Sequence, residues 1–206
     1  MKRFIPLLAV SAAISLATPA QADVINFDSL AEGDVVTTQF PGVTFSSQTG
    51  LEILVTAQAG AFGTSLPNFI CTGAGSISCT GAVYVDFASA VSGLTFLAVG
   101  DDNTGDIGDV RAFAGALLLG TIDIIGDGNP FGSPYLVDLS AFSGVTRIEI
   151  ANIRDEFGLG YDDFTFDASD GAVPEPSTWA MMLLGFGAVG FAMRRRKVAA
   201  GLVRLA

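Results

Sequence analysis

Histidine is absent from the 206-residue chain, cysteine occurs twice, and tryptophan occurs once. Without histidine the chain cannot form Ser-His-Asp or Cys-His nucleophilic sites or histidine metal centres. Two thiols supply only half of the ligands of a structural zinc site, so we expect no zinc. Paired carboxylates hydrolyse glycosides, but among 21 acidic residues such pairs arise by chance. We therefore expect a non-enzymatic protein, with an extracellular hydrolase as the less favoured alternative.

Positive charge is scarce between residues 23 and 172. This stretch carries 20 acidic residues and a formal charge of −17, and its three cations are Arg111, Arg147 and Arg154. Such a surface repels nucleic acid and anionic lipid, so we expect no nucleic-acid partner. The acidity favours either simple solubility outside the cell or the binding of divalent cations.

Helical periodicity is also missing between residues 23 and 172, where short β-branched and aromatic runs alternate with Gly, Pro, Asn and Asp. Residues 94–99 are apolar on both faces, which predicts a central strand. The pattern predicts an all-β domain, a two-sheet antiparallel sandwich of the jelly-roll type. The candidate strands span residues 24–27, 35–38, 43–46, 51–57, 83–87, 94–99, 110–113, 117–125, 135–139, 145–151 and 161–167.

The first 22 residues have the features of a signal peptide. Lys2 and Arg3 precede an apolar run over residues 4–16, and residues 20–22 read Ala-Gln-Ala, an A-x-A cleavage site. We expect a mature chain that begins at Asp23 and a domain that extends to residue 172. An uncleaved N-terminal anchor is the alternative, and the short apolar run disfavours it.

Cys71 and Cys79 enclose a seven-residue loop of small residues. Export places the domain in an oxidising compartment, where such thiols pair. We therefore predict a Cys71–Cys79 disulfide.

The C-terminal part of the chain has an uncharged apolar run at residues 179–193. At about 1.5 Å per residue a helix there reaches roughly 22 Å, short of the ~30 Å hydrocarbon core of a bilayer. Trp179 suits one interface, and the four cations at residues 194–197 suit the cytoplasmic side, where their stems extend the span. We predict a transmembrane helix over 179–193 and a cytoplasmic tail over 198–206. A buried core helix is disfavoured because the run has no polar face.

Residues 173–197 resemble the PEP-CTERM sorting signal. The residues that carry this resemblance are Pro174, Glu175, Pro176, Trp179, the run 181–187, and Arg194, Arg195 and Arg196. The resemblance implies a substrate of exosortase, a membrane transpeptidase of Gram-negative bacteria, with processing near the Pro-Glu-Pro motif. It implies an inner-membrane intermediate and then delivery to the cell surface or extracellular matrix. Residues 198–206 are a departure, because such proteins usually end soon after the arginines.

The domain also resembles the β-sandwich ectodomains of PEP-CTERM proteins and the jelly-roll carbohydrate-binding modules. The resemblance lies in residues 25–30, 42–45 and 160–166. It implies that the first and last strands pair and that nearby acids, by position Asp28, Asp162 and Asp163, hold a structural Ca²⁺. The alternative is that these acids cap turns or remain solvated. The resemblance also leaves exopolysaccharide as a ligand of the domain, an alternative to a purely structural or adhesive role.

Two further patterns resemble binding motifs. Residues 185–190 fit G-x-G-x-x-G, but no strand precedes them and no acid follows, so a dinucleotide site is not expected. Residues 101–109 are rich in Asp and Asn but depart from the EF-hand pattern, since Gly105 occupies a ligand position. We favour a solvated turn there over a cation-binding loop.

Overall fold

The protein is described by a computed structural model over residues 22–48, 50–57, 63–73, 79–168, 181–187 and 190. The domain is all-β, as the sequence predicts, and residues 181–187 are helical. Its ten strands are β1 (Asp23–Ile25), β2 (Val43–Ser47), β3 (Glu52–Ala57), β4 (Asn68–Gly73), β5 (Val83–Val99), β6 (Thr104–Ala114), β7 (Leu117–Asp127), β8 (Tyr135–Asp138), β9 (Val145–Ala151) and β10 (Gly160–Ala168).

The ten strands form one hydrogen-bonded network in which all of the strand pairs are antiparallel. The order is β3-β4-β10-β5-β9-β6-β7, with β1 paired to β10 and with β2 and β8 paired to β5. The first strand therefore pairs with the last, and Ile25 lies opposite Phe164. This pairing is the one that the resemblance to jelly-roll modules implies.

Strand β5 is 17 residues long and changes partners along its length. Its first half pairs with β2 and β9, and its second half pairs with β10 and β8. The prediction of two separate strands at 83–87 and 94–99 is therefore wrong. Strand pairing continues between them because the Ala88 N–H donates to the Gly42 carbonyl and Ser92 pairs with Asp167. The central position of residues 94–99 is confirmed.

Two other strand assignments need correction. Residues 35–38 form no strand, and Val35 makes only an isolated bridge to Leu54. There the Thr37 N–H donates to the side chain of Gln39 instead of to a neighbouring strand. Strand β4 was not predicted, because all six of its residues are buried and the two-residue alternation that signals a strand is lost.

A cluster of phenylalanine rings lies within the apolar core. Phe27, Phe45 and Phe164 are buried and meet edge to face, with centroids 5.6–6.2 Å apart. Phe96 stacks on Phe164 with centroids 4.8 Å apart. Each such pair contributes about 0.5–1.5 kcal/mol beyond the burial of its area. This cluster packs the segment after β1 against β10, the strand that carries Asp162 and Asp163.

Candidate functional site

Asp162 and Asp163 lie at an irregularity in β10. The pairing with β5 shifts register between Asp162 and Thr165, and Asp163 has a φ of 52°. An extra residue in a strand changes which face its side chains point to. Tyr161, Phe164 and Phe166 are consequently all buried, and so is Asp162, which has no exposed surface. The irregularity thus inserts a carboxylate into an otherwise apolar layer.

The segment at residues 65–68 holds these acids from across the chain. The hydroxyl of Ser65 donates to Oδ2 of Asp162 at 3.1 Å, and the N–H of Ser65 donates to Oδ2 of Asp163 at 2.9 Å. Asp28 accepts the N–H of Asn68 at 3.2 Å. All three predicted metal ligands therefore contact one four-residue segment, Asp28 at one end and the acid pair at the other.

The other oxygen of Asp162, Oδ1, is buried without a hydrogen-bond partner. The pKa of Asp162 is raised to about 7, mainly by burial and also by the neighbouring charge of Asp163, although the Asp163 N–H and the hydroxyls of Ser65 and Thr64 act to lower it. A buried carboxylate with an unsatisfied oxygen is costly. Either protonation of Asp162 or a bound cation would reduce this cost.

The fit of this site to a hard cation is partial. Two adjacent carboxylates and a hydroxyl are oxygen ligands of the kind that Ca²⁺ takes, and the unpartnered Oδ1 is one such oxygen. However, among the described residues no three His, Cys, Asp or Glu side chains cluster closely enough to hold a metal. Hydroxyl and backbone oxygens would have to complete the ligand set.

In the acid-rich stretch at residues 101–109, residues 101–103 lie between β5 and β6, and residues 104–109 begin β6. Oδ2 of Asp101 accepts the N–H of Asp127 at 2.6 Å. Asp106 and Asp109 lie in β6, where both form ion pairs with Arg154. The expectation of a solvated turn is therefore wrong in part, because residues 104–109 belong to β6 and Asp101 is buried.

Asp155 is a structural residue that the sequence interpretation missed. Its Oδ2 accepts the N–H groups of Asp102 and Asn103, and its Oδ1 accepts those of Phe157 and Gly158. One buried carboxylate therefore ties two loops together. Its side-chain bond two residues along the chain is an Asx turn, and an Asp followed three residues later by Gly is the signal that could have identified it.

The disulfide between Cys71 and Cys79 is confirmed, with Cα atoms 5.1 Å apart. The N–H of Cys79 donates to the carbonyl of Phe157, and its carbonyl accepts the N–H of Leu159. The bridge thus attaches the end of β4 to the segment before β10. Both cysteines are taken up in this bond.

The sorting-signal residues Pro174, Glu175, Pro176, Trp179, Arg194, Arg195 and Arg196 lie outside the described residues. Of the predicted span 179–193, residues 181–187 are helical, and large apolar side chains among them, such as Leu183 and Phe186, are about 70% exposed. Within the described parts of the chain, no helix is both long and apolar enough to cross a membrane.

Comparison with known proteins identifies the C-terminal segment. Residues 172–197 match the PEP-CTERM protein-sorting motif, so the chain is an all-β protein that carries this motif. The match covers a small part of the chain and concerns sorting only. No curated protein matches the chain.

Two solved structures show low similarity to the domain. The K1 cleaved adhesin domain of Lys-gingipain from Porphyromonas gingivalis W83 aligns with 14% identity, a TM-score of 0.48, and coverage of 72% of this chain and 99% of the adhesin. CBM35 from Paenibacillus barcinonensis aligns with 14% identity, a TM-score of 0.32, and coverage of 61% and 99%. Both TM-scores lie below 0.5, and neither similarity assigns a function to this chain.

Proposed function

We propose that the protein is exported, held in the inner membrane by a helix over residues 179–193, processed by an exosortase near Pro174-Glu175-Pro176, and delivered to the cell surface or extracellular matrix of a Gram-negative bacterium. The observation that carries this proposal is the match of residues 172–197 to the PEP-CTERM motif. The signal-peptide features at residues 1–22 and the Cys71–Cys79 disulfide support export.

Exchange of Glu175 for alanine is expected to abolish most processing and surface delivery, since this acid lies between the two prolines of the motif. Fractionation of cells followed by immunoblotting measures the share of processed protein. Asp170→Ala removes a carboxylate a few residues upstream, outside the matched segment. It serves as the matched control and should leave processing unchanged. Normal maturation of the Glu175→Ala variant would contradict the proposal.

For the domain we propose a non-enzymatic structural or adhesive role on a two-sheet antiparallel sandwich. The change of partners along β5 supports the sandwich, because its two halves belong to different sets of strands. The absence of histidine supports the lack of enzymatic activity. A carbohydrate-binding module for exopolysaccharide is the alternative, and binding on a glycan array would favour it over the adhesive role.

We further propose that Asp162 and Asp163 hold a structural Ca²⁺, whereas the third candidate, Asp28, contacts Asn68 at the other end of the 65–68 segment. The buried, unpartnered Oδ1 of Asp162, which lies beside a second carboxylate and the Ser65 hydroxyl, supports this proposal. A cation there would neutralise charges that the apolar core destabilises. Hydroxyl and backbone oxygens would have to complete the coordination of the ion.

Millimolar Ca²⁺ is expected to raise the midpoint of thermal unfolding well beyond the effect of sodium at matched ionic strength. Binding to the folded state alone stabilises it by about 2.7 kcal/mol at a hundredfold excess over Kd. Asp162→Asn or Asp163→Asn should remove most of the difference, whereas Asp123→Asn, at an exposed position in β7, should preserve it. If calcium and sodium act alike on the unaltered protein, no such site exists.

A further inference from the structure

A cleft of about 240 Å³ lies beside the disulfide, away from the acid pair of β10. Its walls are mainly apolar, and it is small beside the roughly 300–1,000 Å³ of sites that hold drug-sized ligands. The side chains that line it include Phe69, Cys79, Val99, Asp102, Phe131 and Phe157. Phe69, Cys79 and Val99 also belong to a small apolar cluster separate from the main core, and this cluster forms one wall of the cleft.

Two phenylalanine rings at the cleft are exposed to solvent, Phe131 by 69% and Phe157 by 58%. Most phenylalanines of the domain are core residues, so exposed rings at one cleft are notable. The backbone of Phe157 is fixed on both sides, since its N–H donates to Asp155 and its carbonyl accepts the N–H of Cys79. A ring on a fixed backbone loses little conformational entropy when a ligand packs against it.

The charge at the cleft is negative. Of the residues that the structure describes along its lining, Asp102 is the one with a charged side chain. Burial raises the pKa of Asp102, and the charges of Asp155, Glu156 and Asp101 raise it further, which places three more acids within electrostatic reach. The three arginines of the domain are paired with acids elsewhere, as Arg111–Glu149, Arg147–Asp86 and Arg154 with Asp106 and Asp109.

We propose that this cleft binds a single Arg or Lys side chain presented by a partner polypeptide. The apolar wall and the two rings accept the stem of the side chain, and aromatic faces attract its cation. Asp102 would pair with the cationic head at the rim. A neutral sugar suits the cleft less well, because among the described residues that line it Asp102 alone has a side chain with a strong hydrogen-bonding group. This inference is independent of the sorting proposal.

The test uses the full-length chain in detergent and short peptides that carry one central Arg, Lys or citrulline and no other charged group. Citrulline has nearly the shape of Arg without its charge, so the comparison needs no protein variant. We expect the Arg and Lys peptides to bind at least tenfold more tightly than the citrulline peptide. We also expect 0.5 M NaCl to weaken the binding of these two cationic peptides. Equal affinity for Arg and citrulline, or no binding of either cationic peptide, would overturn the proposal.

Variants then locate the site. Asp102→Asn and Phe157→Ala should each lower the affinity for the Arg peptide at least fivefold. Asp123→Asn removes an equal charge at an exposed position outside the lining and should leave this affinity unchanged. Thermal unfolding verifies that each variant is folded. Glucosamine oligomers are the competing cationic ligand: if they bind more tightly than the peptides and lose affinity in Asp102→Asn, the cleft belongs to a polysaccharide and the peptide proposal fails.

Discussion

Raising the pH of the calcium-free protein from 5 to 8 is expected to lower its free energy of unfolding by about 2–3 kcal/mol through Asp162 alone. The pKa of this buried carboxyl is about 7 in the folded protein, against 3.8 for an ordinary, solvent-exposed aspartate. The folded state therefore binds the proton more tightly than the unfolded chain. The stabilisation is complete below pH 4, falls as the pH rises towards 7, and is lost above it.

Urea denaturation in the presence of a chelator, at pH 5, 6, 7 and 8, measures this dependence. Asp101 and Asp102 also have raised pKa values and act in the same direction, so the informative quantity is the difference between proteins. Asp162→Asn should flatten the curve by about 2–3 kcal/mol between pH 5 and 8, and Asp123→Asn should leave it unchanged. Parallel curves for the unaltered protein and Asp162→Asn would show that Asp162 is not a buried acid.

Exchange of Gly158 for alanine is expected to cost about 3–5 kcal/mol or to prevent folding, in the range of the most damaging single substitutions. A Cβ on Gly158 would lie 2.1 Å from the carbonyl carbon of Cys79 and 2.3 Å from its oxygen. Cys79 has little freedom to withdraw, because it is bonded to Cys71 and hydrogen-bonded to Phe157 and Leu159. The clash would therefore break the junction between the disulfide and β10.

Gly144→Ala is the matched control for this substitution. Gly144 has a φ of 74°, close to the 82° of Gly158, but a Cβ there would meet nothing within 4 Å. It should cost only the 1–2 kcal/mol or so of placing an L-residue in the left-handed region. Urea midpoints compare the two variants. If both lose the same stability, backbone conformation explains the effect and the close approach to Cys79 is of no consequence.

The parts of the fold that the sequence predicts correctly are those with local signals. The aromatic run at residues 161–167 predicted β10, in which Phe164 and Phe166 are buried. The spacing of two cysteines in an exported chain identified the disulfide. Strand β4 has no such signal because it is buried on both faces, and the continuity of β5 depends on partners from distant parts of the chain.

The candidate sites were less accessible to prediction because their contacts are remote in sequence. Asp162 and Asp163 were identified by resemblance, but Ser65, which binds both, lies nearly 100 residues earlier. The cleft brings together residues from five separate segments, and no motif marks it. Exposed phenylalanines look the same as buried ones in a sequence, so the two rings at the cleft could only be identified from the fold.

The central claim is that this acidic all-β domain is exported and separated from its C-terminal signal. Intact mass spectrometry of the protein recovered from the cell surface or the medium tests it most directly. The account predicts a polypeptide that begins at Asp23 and ends near Pro174-Glu175-Pro176, without residues 179–206. A surface protein whose mass still includes the apolar segment and Arg194, Arg195 and Arg196 would contradict it.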